Sequence, residues 1–268
     1  MDIKGKRVLI TGGSSGIGLA LAHALGQEGA RIAISGRRAD ALSEAVAHLR
    51  DACIEAYAVA ADVSTPSGRQ ATLVHALEAL GGVDVLVNNA GGVRGGRLEH
   101  LTEAEIRTMI EVDLIAPILL TQAALPSLRE NESGLVVNVT SGAALIGMPF
   151  YSTYAAAKAG LMRFGEALRR ELTGEGIHVM TVYPGATDTP MMRTSHAGPE
   201  LGFARESPVA VADAIVEGIK GDALEVIRGG EARSQMIALN RDDPTALDQR
   251  FASIKDALAK AVRDHSAL

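Results

Sequence analysis

The chain has a single cysteine, Cys53, no tryptophan, and aromatic side chains at only 3% of its positions. One cysteine cannot form an intrachain disulfide, so the core alone must hold the fold, and a reducing compartment is the simplest setting. Cys53 reads as a small buried hydrophobe. The seven histidines are scattered without metal-ligand spacing, and thiolate clusters are excluded, so no metal site is expected. Stacking rings are scarce and the net charge is −6, which argues against a phosphate-tracking nucleic-acid groove. No uninterrupted apolar run approaches the roughly 18 residues that span a bilayer, and Met1 to Arg7 leads into only a short one. The expectation is a cytoplasmic protein with no membrane and no nucleic-acid partner.

What is present is a 268-residue chain, 47% hydrophobic and 22% charged, the balance of a globular protein. Short β-branched runs recur between segments of helical spacing, the pattern of strands joined by crossover helices. Strands are predicted at Arg7 to Ile10, Arg31 to Ser35, Glu55 to Ala60, Val83 to Val87, Leu135 to Thr140, His178 to Tyr183 and Leu224 to Arg228. Their continuous apolar character fits a mostly parallel seven-stranded sheet covered by helices on both faces, a doubly wound α/β Rossmann-type architecture. Leu42, Val46 and Leu49 share one helical face, as do Leu73, Leu77 and Leu80. No linker or repeat divides the chain, so residues 1–268 read as one domain. Residues 187–208 read as a loop-like lid and 229–268 as a helical tail. In that tail Asp243-Pro244 caps one amphipathic helix through Leu247, Phe251, Ile254, Leu258 and Val262. The helix packs either on its own domain or on another subunit.

Thr11-Gly12-Gly13-Ser14-Ser15-Gly16-Ile17-Gly18 follows the first strand and opens a helical segment. Glycines there let the backbone approach a pyrophosphate, and the helix directs its unpaired N–H groups at the anion. The second strand ends Ser35-Gly36-Arg37-Arg38, where a carboxylate would meet a free ribose 2′-hydroxyl. Arg37 instead offers a donor fork suited to a 2′-phosphate, with Arg38 adding to the field or simply solvated, which favours NADP(H) over NAD(H). Asp62-Val63 closes the third strand, and Asp62 reads equally as a partner of an adenine amino group or as a turn-forming residue. After the fifth strand come Val139-Thr140-Ser141 and then Tyr154-Ala155-Ala156-Ala157-Lys158. On a helix, Tyr154 and Lys158 project from one face.

Together these motifs resemble the short-chain dehydrogenase/reductase family. The resemblance runs from about Lys6 to Arg228, through the glycine loop, Asn88-Asn89-Ala90-Gly91, Ser141, Tyr154-x-x-x-Lys158 and Pro184-Gly185-x-x-x-Thr189. It implies a cofactor lying across the carboxyl ends of the strands, with Gly12, Ser14, Ser15, Gly16, Ile17 and Gly18 around the pyrophosphate. Asn89, Ala90 and Gly91 would line the adenosine side, and Pro184, Gly185, Thr187 and Thr189 the nicotinamide side. It further implies a homodimer or homotetramer packed through the helix carrying Tyr154 and the one before it.

The chemistry follows from the residue types. Hydride delivery to a carbonyl carbon generates an alkoxide that needs a proton donor within reach, and Tyr154 is that donor. The Lys158 ammonium and the cationic oxidised nicotinamide both favour the phenolate, so the tyrosine's pKa is expected to fall. Ser141 would hydrogen-bond the reacting oxygen, or else cap its strand. Where the family usually has an asparagine ahead of the fifth strand, this chain has Asp113, whose carboxylate would raise the tyrosine's pKa again and shift the pH optimum. Ala143, Ala144, Leu145, Ile146, Met148 and Phe150, with Met191 and Met192 at the start of the lid, suggest an apolar pocket for a medium-sized ketone or secondary alcohol. Tyr151 reads as pocket wall. Arg94 and Arg97 either meet an anionic substrate tail or are solvated loop charges. Rival readings are a dinucleotide-sensing protein without turnover, and a lyase or epimerase using the same cofactor.

Overall fold

The computed structural model describes residues 1–130 and 133–268, and it turns the aliphatic runs into parallel strands. The first half alternates strictly: β1 (Arg7–Thr11), α1 (Gly16–Gln27), β2 (Arg31–Gly36), α2 (Ala39–Asp51), β3 (Ala56–Ala60), α3 (Pro66–Leu80) and β4 (Val85–Asn88). The second half runs β5 (Val93–Arg94), α4 (Glu103–Ile110), α5 (Ala116–Arg129), β6 (Gly134–Val139), α6 (Ser152–Glu171), β7 (Ile177–Tyr183) and α7 (Pro208–Lys220). It ends with β8 (Glu225–Ile227), α8 (Gly230–Asp242), α9 (Pro244–Val262) and β9 (Ser266–Ala267). Seven strands form one parallel sheet in the order β3-β2-β1-β4-β6-β7-β8. The winding reverses between β1 and β4, and a crevice opens beyond their carboxyl ends.

Period-two alternation divides each apolar strand between two cores. Val8 and Ile10 of β1 pack with Leu21, Leu25, Leu42, Val211 and Ile215 on one face. Leu9 packs with Leu73, Leu120 and Leu168 on the other. As the spacing predicts, α2 buries Leu42, Val46 and Leu49. α3 buries Leu73 and Leu80, with Leu77 half-buried, and it starts from a Thr65 cap followed by Pro66. β4 begins two residues later than the apolar run does, because the Val83 N–H donates to Ser127 Oγ at 2.9 Å rather than to a strand. A π turn at Glu111–Ile115 joins α4 to α5. The resulting helical stretch Glu103–Arg129, mean hydropathy 1.5 over its most apolar window, is long and apolar enough to cross a membrane. Its Leu120, Ala124 and Leu128 are instead buried in the second core, which makes α5 a core helix.

Two expectations are corrected and a third segment gains detail. Cys53 is exposed, because the turn after α2 holds it at φ 60, outside both cores. The tail holds two helices rather than one: α8 buries none of its residues and so leaves no apolar stripe in the sequence. α9 then starts at Asp243, whose side chain accepts the Ala246 N–H at 3.0 Å. The loop-like stretch 187–208 contains two short 3-10 turns, Pro190–Met192 and Pro199–Leu201. Of the two readings of α9, packing on its own chain is realised: Leu258 and Val262 meet Val93, Tyr151, Met192, Leu201 and Phe203 in a third apolar cluster. Beyond α9, β9 pairs antiparallel with β5.

Candidate active site

The crevice at the switch point widens into one cavity of about 740 Å³. At its β1 end Gly12 adopts φ 66, and a Cβ there would stand 2.9 Å from Ala90 Cα. At Gly18 a Cβ would overlap the Gly12 carbonyl and the Asn89 amide, so only glycine lets α1 approach the loop this closely. Ser15 precedes α1 without a side-chain cap, and no acid stands in the first turn, so the helix N-terminus is left to an external anion. Ser14, Ser15, Gly16 and Ile17 line the cavity beside it. This cradle fits a dinucleotide pyrophosphate. Arg37 and Arg38 are exposed at the cavity's edge beyond β2.

Asn89, Ala90 and Gly91 form the opposite wall. The Asn89 Nδ2 donates to the Thr11 carbonyl at 2.9 Å and the Gly12 carbonyl at 3.2 Å, which ties this wall to the glycine loop. The Thr11 hydroxyl oxygen accepts the Asn89 and Ala90 N–H groups, each at 3.0 Å, completing the buttress. Asp62 takes the turn-forming role, its Oδ1 accepting the Ser64 N–H at 2.9 Å, and it lines the cavity together with Val63. Pro184, Gly185, Thr187 and Thr189 line the far side. The Pro184 carbonyl accepts the Gly142 N–H at 2.8 Å, which fixes the chain just after Ser141.

Ser141, Tyr154 and Lys158 meet on the same cavity wall. One turn of α6 sets the Lys158 Nζ 5.8 Å from the centroid of the Tyr154 ring. The ammonium donates to the Val139 carbonyl at 3.3 Å and pairs with Asp113 Oδ1 at 3.1 Å. Asp113 is completely buried in the π turn; Oδ1 also accepts the Gly92 N–H at 3.1 Å, while Oδ2 has no partner. A Cβ at Gly91 would lie 2.6 Å from Asp113 Oδ1, so glycine is required for this approach. Burial pushes the Asp113 carboxyl up, more than Lys158 and the Gly92 N–H pull it back. Burial pushes the Lys158 ammonium down, but Asp113 and then Tyr154 outweigh it and hold it above the ordinary lysine range.

Without the nicotinamide's positive charge, the lysine alone does not bring the tyrosine's pKa down. Burial raises the Tyr154 phenol, Lys158 and a Ser141 hydrogen bond lower it, Asp113 raises it again, and the balance stands above the usual tyrosine value. The carboxylate therefore acts as the sequence suggested, opposing the lysine.

On the substrate side, Ala143 and Met148 line the cavity, whereas Ala144, Leu145, Phe150 and the buried Ile146 do not. Tyr151, Met191 and Met192 do line it, joined by three features that sequence pattern did not flag. These are Phe203, Arg233 of α8, and the β9 segment with His265. His265 is buried, its Nδ1 2.7 Å from the Tyr151 hydroxyl and its Nε2 3.0 Å from the Met191 carbonyl. Arg94 and Arg97 do not line the cavity: Arg94 pairs with Glu105 and donates to the Gly95 and Arg263 carbonyls, and Arg97 pairs with Glu99.

Such a crevice is built to bring a dinucleotide up against a proton donor, the arrangement of a dinucleotide-dependent oxidoreductase. The chain matches the short chain dehydrogenase family over residues 6–200, and it belongs to the short-chain dehydrogenase/reductase family. It is 34% identical over 256 residues to the ketoacyl reductase HetN of Nostoc sp., covering 93% of this chain and 89% of that protein. A short chain dehydrogenase from Burkholderia cenocepacia solved in complex with NADP superposes with a TM-score of 0.79 at 33% identity, covering 86% of this chain and 98% of the other. A 3-ketoacyl-(acyl-carrier-protein) reductase from Brucella melitensis complexed with NADH gives a TM-score of 0.78 at 26% identity, covering 85% of this chain and 98% of the other.

Proposed function

We propose that the protein is an NADP(H)-dependent reductase of a medium-sized, predominantly apolar carbonyl compound, with Tyr154 as the proton donor. The observation that carries this reading is the meeting of Ser141, Tyr154 and Lys158 on a cavity continuous with the glycine cradle. A bound nicotinamide supplies hydride chemistry there. Ser141 holds the carbonyl oxygen, the Tyr154 hydroxyl gives that oxygen its proton, and the Lys158 ammonium biases the phenol and grips ribose hydroxyls. A phenol with a raised pKa is fully protonated near neutrality. That state suits reduction of a ketone better than oxidation of an alcohol. Val93, Met148, Met191, Met192 and Phe203 supply apolar wall, and residues 187–208 would cover the substrate as its lid. Arg37, exposed at the cavity's edge, would receive a 2′-phosphate, and the ketoacyl reductase name of a relative agrees with a carbonyl substrate. A homodimer or homotetramer in the cytoplasm completes the reading.

One observation favours a second reading, a dinucleotide sensor without turnover: Asp113 neutralises the very lysine that would activate Tyr154. Coenzyme absorbance followed with a panel of hydrophobic ketones separates the two. The reductase reading expects Tyr154→Phe to lose about 10² to 10⁴-fold in kcat while still binding NADPH. Coenzyme binding with no oxidation in either protein would establish the sensor. Titration with both coenzymes tests Arg37, since Arg37→Ala should weaken NADPH by about tenfold or more and leave NADH nearly unchanged.

A further inference from the structure

Arg233 stands on the cavity wall without a partner. Among the described residues its guanidinium makes no hydrogen bond or ion pair, although the side chain is half-buried. It rests in a slot made by two glycines. A Cβ at Gly142 would overlap the guanidinium, and one at Gly229, which sits at φ 106, would lie 3.0 Å from Arg233 Cβ. The slot thus exists because both positions lack a side chain. Gly142 directly follows Ser141, so consecutive Cα atoms about 3.8 Å apart link the serine to the residue beneath the guanidinium.

The local charge does not cancel. Glu206, the carboxylate whose field reaches Arg233, places Oε2 on Arg228 at 2.8 Å. Glu206 is thus paired with Arg228 while its Oε1 is left without a partner, and Arg233 has no direct counter-ion. Burial depresses the Arg233 pKa despite Glu206, a sign of how poorly the cation is compensated. A half-desolvated cation with no hydrogen-bond partner is unfavourable in the free protein and becomes favourable when an anion docks. The planar fork matches a carboxylate in two parallel hydrogen bonds.

We propose that Arg233 is the anion receptor of the substrate pocket and that the substrate is a keto acid whose carboxylate lies a few bonds from the carbonyl held at Ser141. The proposal rests on the reductase reading and narrows its substrate from an apolar ketone to one with an anionic end. Arg94 and Arg97, the arginines the sequence offered for this task, are engaged elsewhere.

The test compares keto acids having one to four methylenes between carbonyl and carboxylate with their methyl esters, which keep the skeleton and lose the charge. Wild type should favour the acid at one or two spacings. Arg233→Gln should lower the acid-to-ester ratio of kcat/KM by about tenfold or more, through KM rather than kcat, with Arg233→Lys intermediate. The same acids are titrated calorimetrically into protein with NADP⁺, where no reduction can occur, and Arg233→Gln should weaken their binding. Equal use of acid and ester by wild type, or an acid preference retained in Arg233→Gln, overturns the proposal. Acid binding that depends on Arg233 without any turnover would sustain the receptor while sinking the reductase reading. Absence of acid binding to wild type would sink the receptor, whatever ketones are reduced.

Discussion

Asp113 and Lys158 are buried together 3.1 Å apart, and the tyrosine one turn away feels both. The carboxylate raises the phenol's pKa and the ammonium lowers it, so removing the negative charge while keeping the shape must move the balance downward. With Tyr154 in the proposed role, Asp113→Asn is expected to shift the rising limb of alcohol oxidation toward lower pH, since that limb would follow deprotonation of the phenol. An unchanged pH profile of kcat/KM would mean that Asp113 does not act on the phenol. The amide keeps the Oδ1 contact with the Gly92 N–H, so coenzyme binding serves as a control for simple misfolding. The residue types were legible in the sequence, but the direct contact was not. It depends on a π turn that no apolar periodicity announces and on a glycine at 91 that clears the approach.

At the scale of elements, the tail is tied to the cavity by one histidine. His265 accepts from the Tyr151 hydroxyl through Nδ1 and donates to the Met191 carbonyl through Nε2, joining the strand pair β5 and β9 to the start of α6 and to the lid. Accepting at Nδ1 requires the neutral ring, whereas the Nε2–H contact with the Met191 carbonyl survives protonation. Burial holds its pKa below the ordinary histidine value, helped by Arg205 and Arg94 and opposed by the Met191 contact. With the folded value depressed, the stability it contributes is present above the unfolded pKa near 6.5 and is lost as pH falls through the folded value. Hydrogen exchange of Val93 and Ala267 is expected to accelerate as pH drops below about 6.5, after correction for intrinsic rates, and His265→Gln should remove that dependence. Identical pH responses in the two proteins would refute the latch. The helix α9 was legible because Asp243-Pro244 and the apolar spacing mark it. The neighbouring elements were not: α8 buries nothing, and β5 and β9 are two residues each, paired across most of the chain. Arg233 escaped for the same reason, since a lone arginine on an exposed helix gains meaning only from the glycines it meets in space.

For the whole molecule, the parallel sheet was readable because its strands are continuous apolar runs, and its crevice because glycines mark the switch point. What holds the opposite end of the sheet is less visible and can be tested independently of activity. Asp84, 4% exposed, lies between Val83 and β4, where its Oδ2 accepts the Arg7 backbone N–H at 2.8 Å and Arg7 Nε at 3.0 Å, and its Oδ1 accepts Nη2 at 2.7 Å. Burial pushes this carboxyl up, but the Arg7 hydrogen bonds outweigh it and hold it below the usual aspartate range. The folded pKa is depressed, so the contribution is complete above the unfolded value near 3.9 and disappears as pH falls through the folded one. Asp84→Asn should lower stability at neutral pH by about 2 kcal/mol, roughly 4–8 °C in Tm for a chain of this size. It should also flatten the dependence of stability on pH below about 4. Because the pair clamps β1 to β4 at the edge remote from the glycine cradle, NADPH affinity at 25 °C should stay at the wild-type value. A variant that lost coenzyme binding along with stability would show that this clamp also positions the crevice, and a variant with unchanged acid unfolding would show that Asp84 carries no part of it.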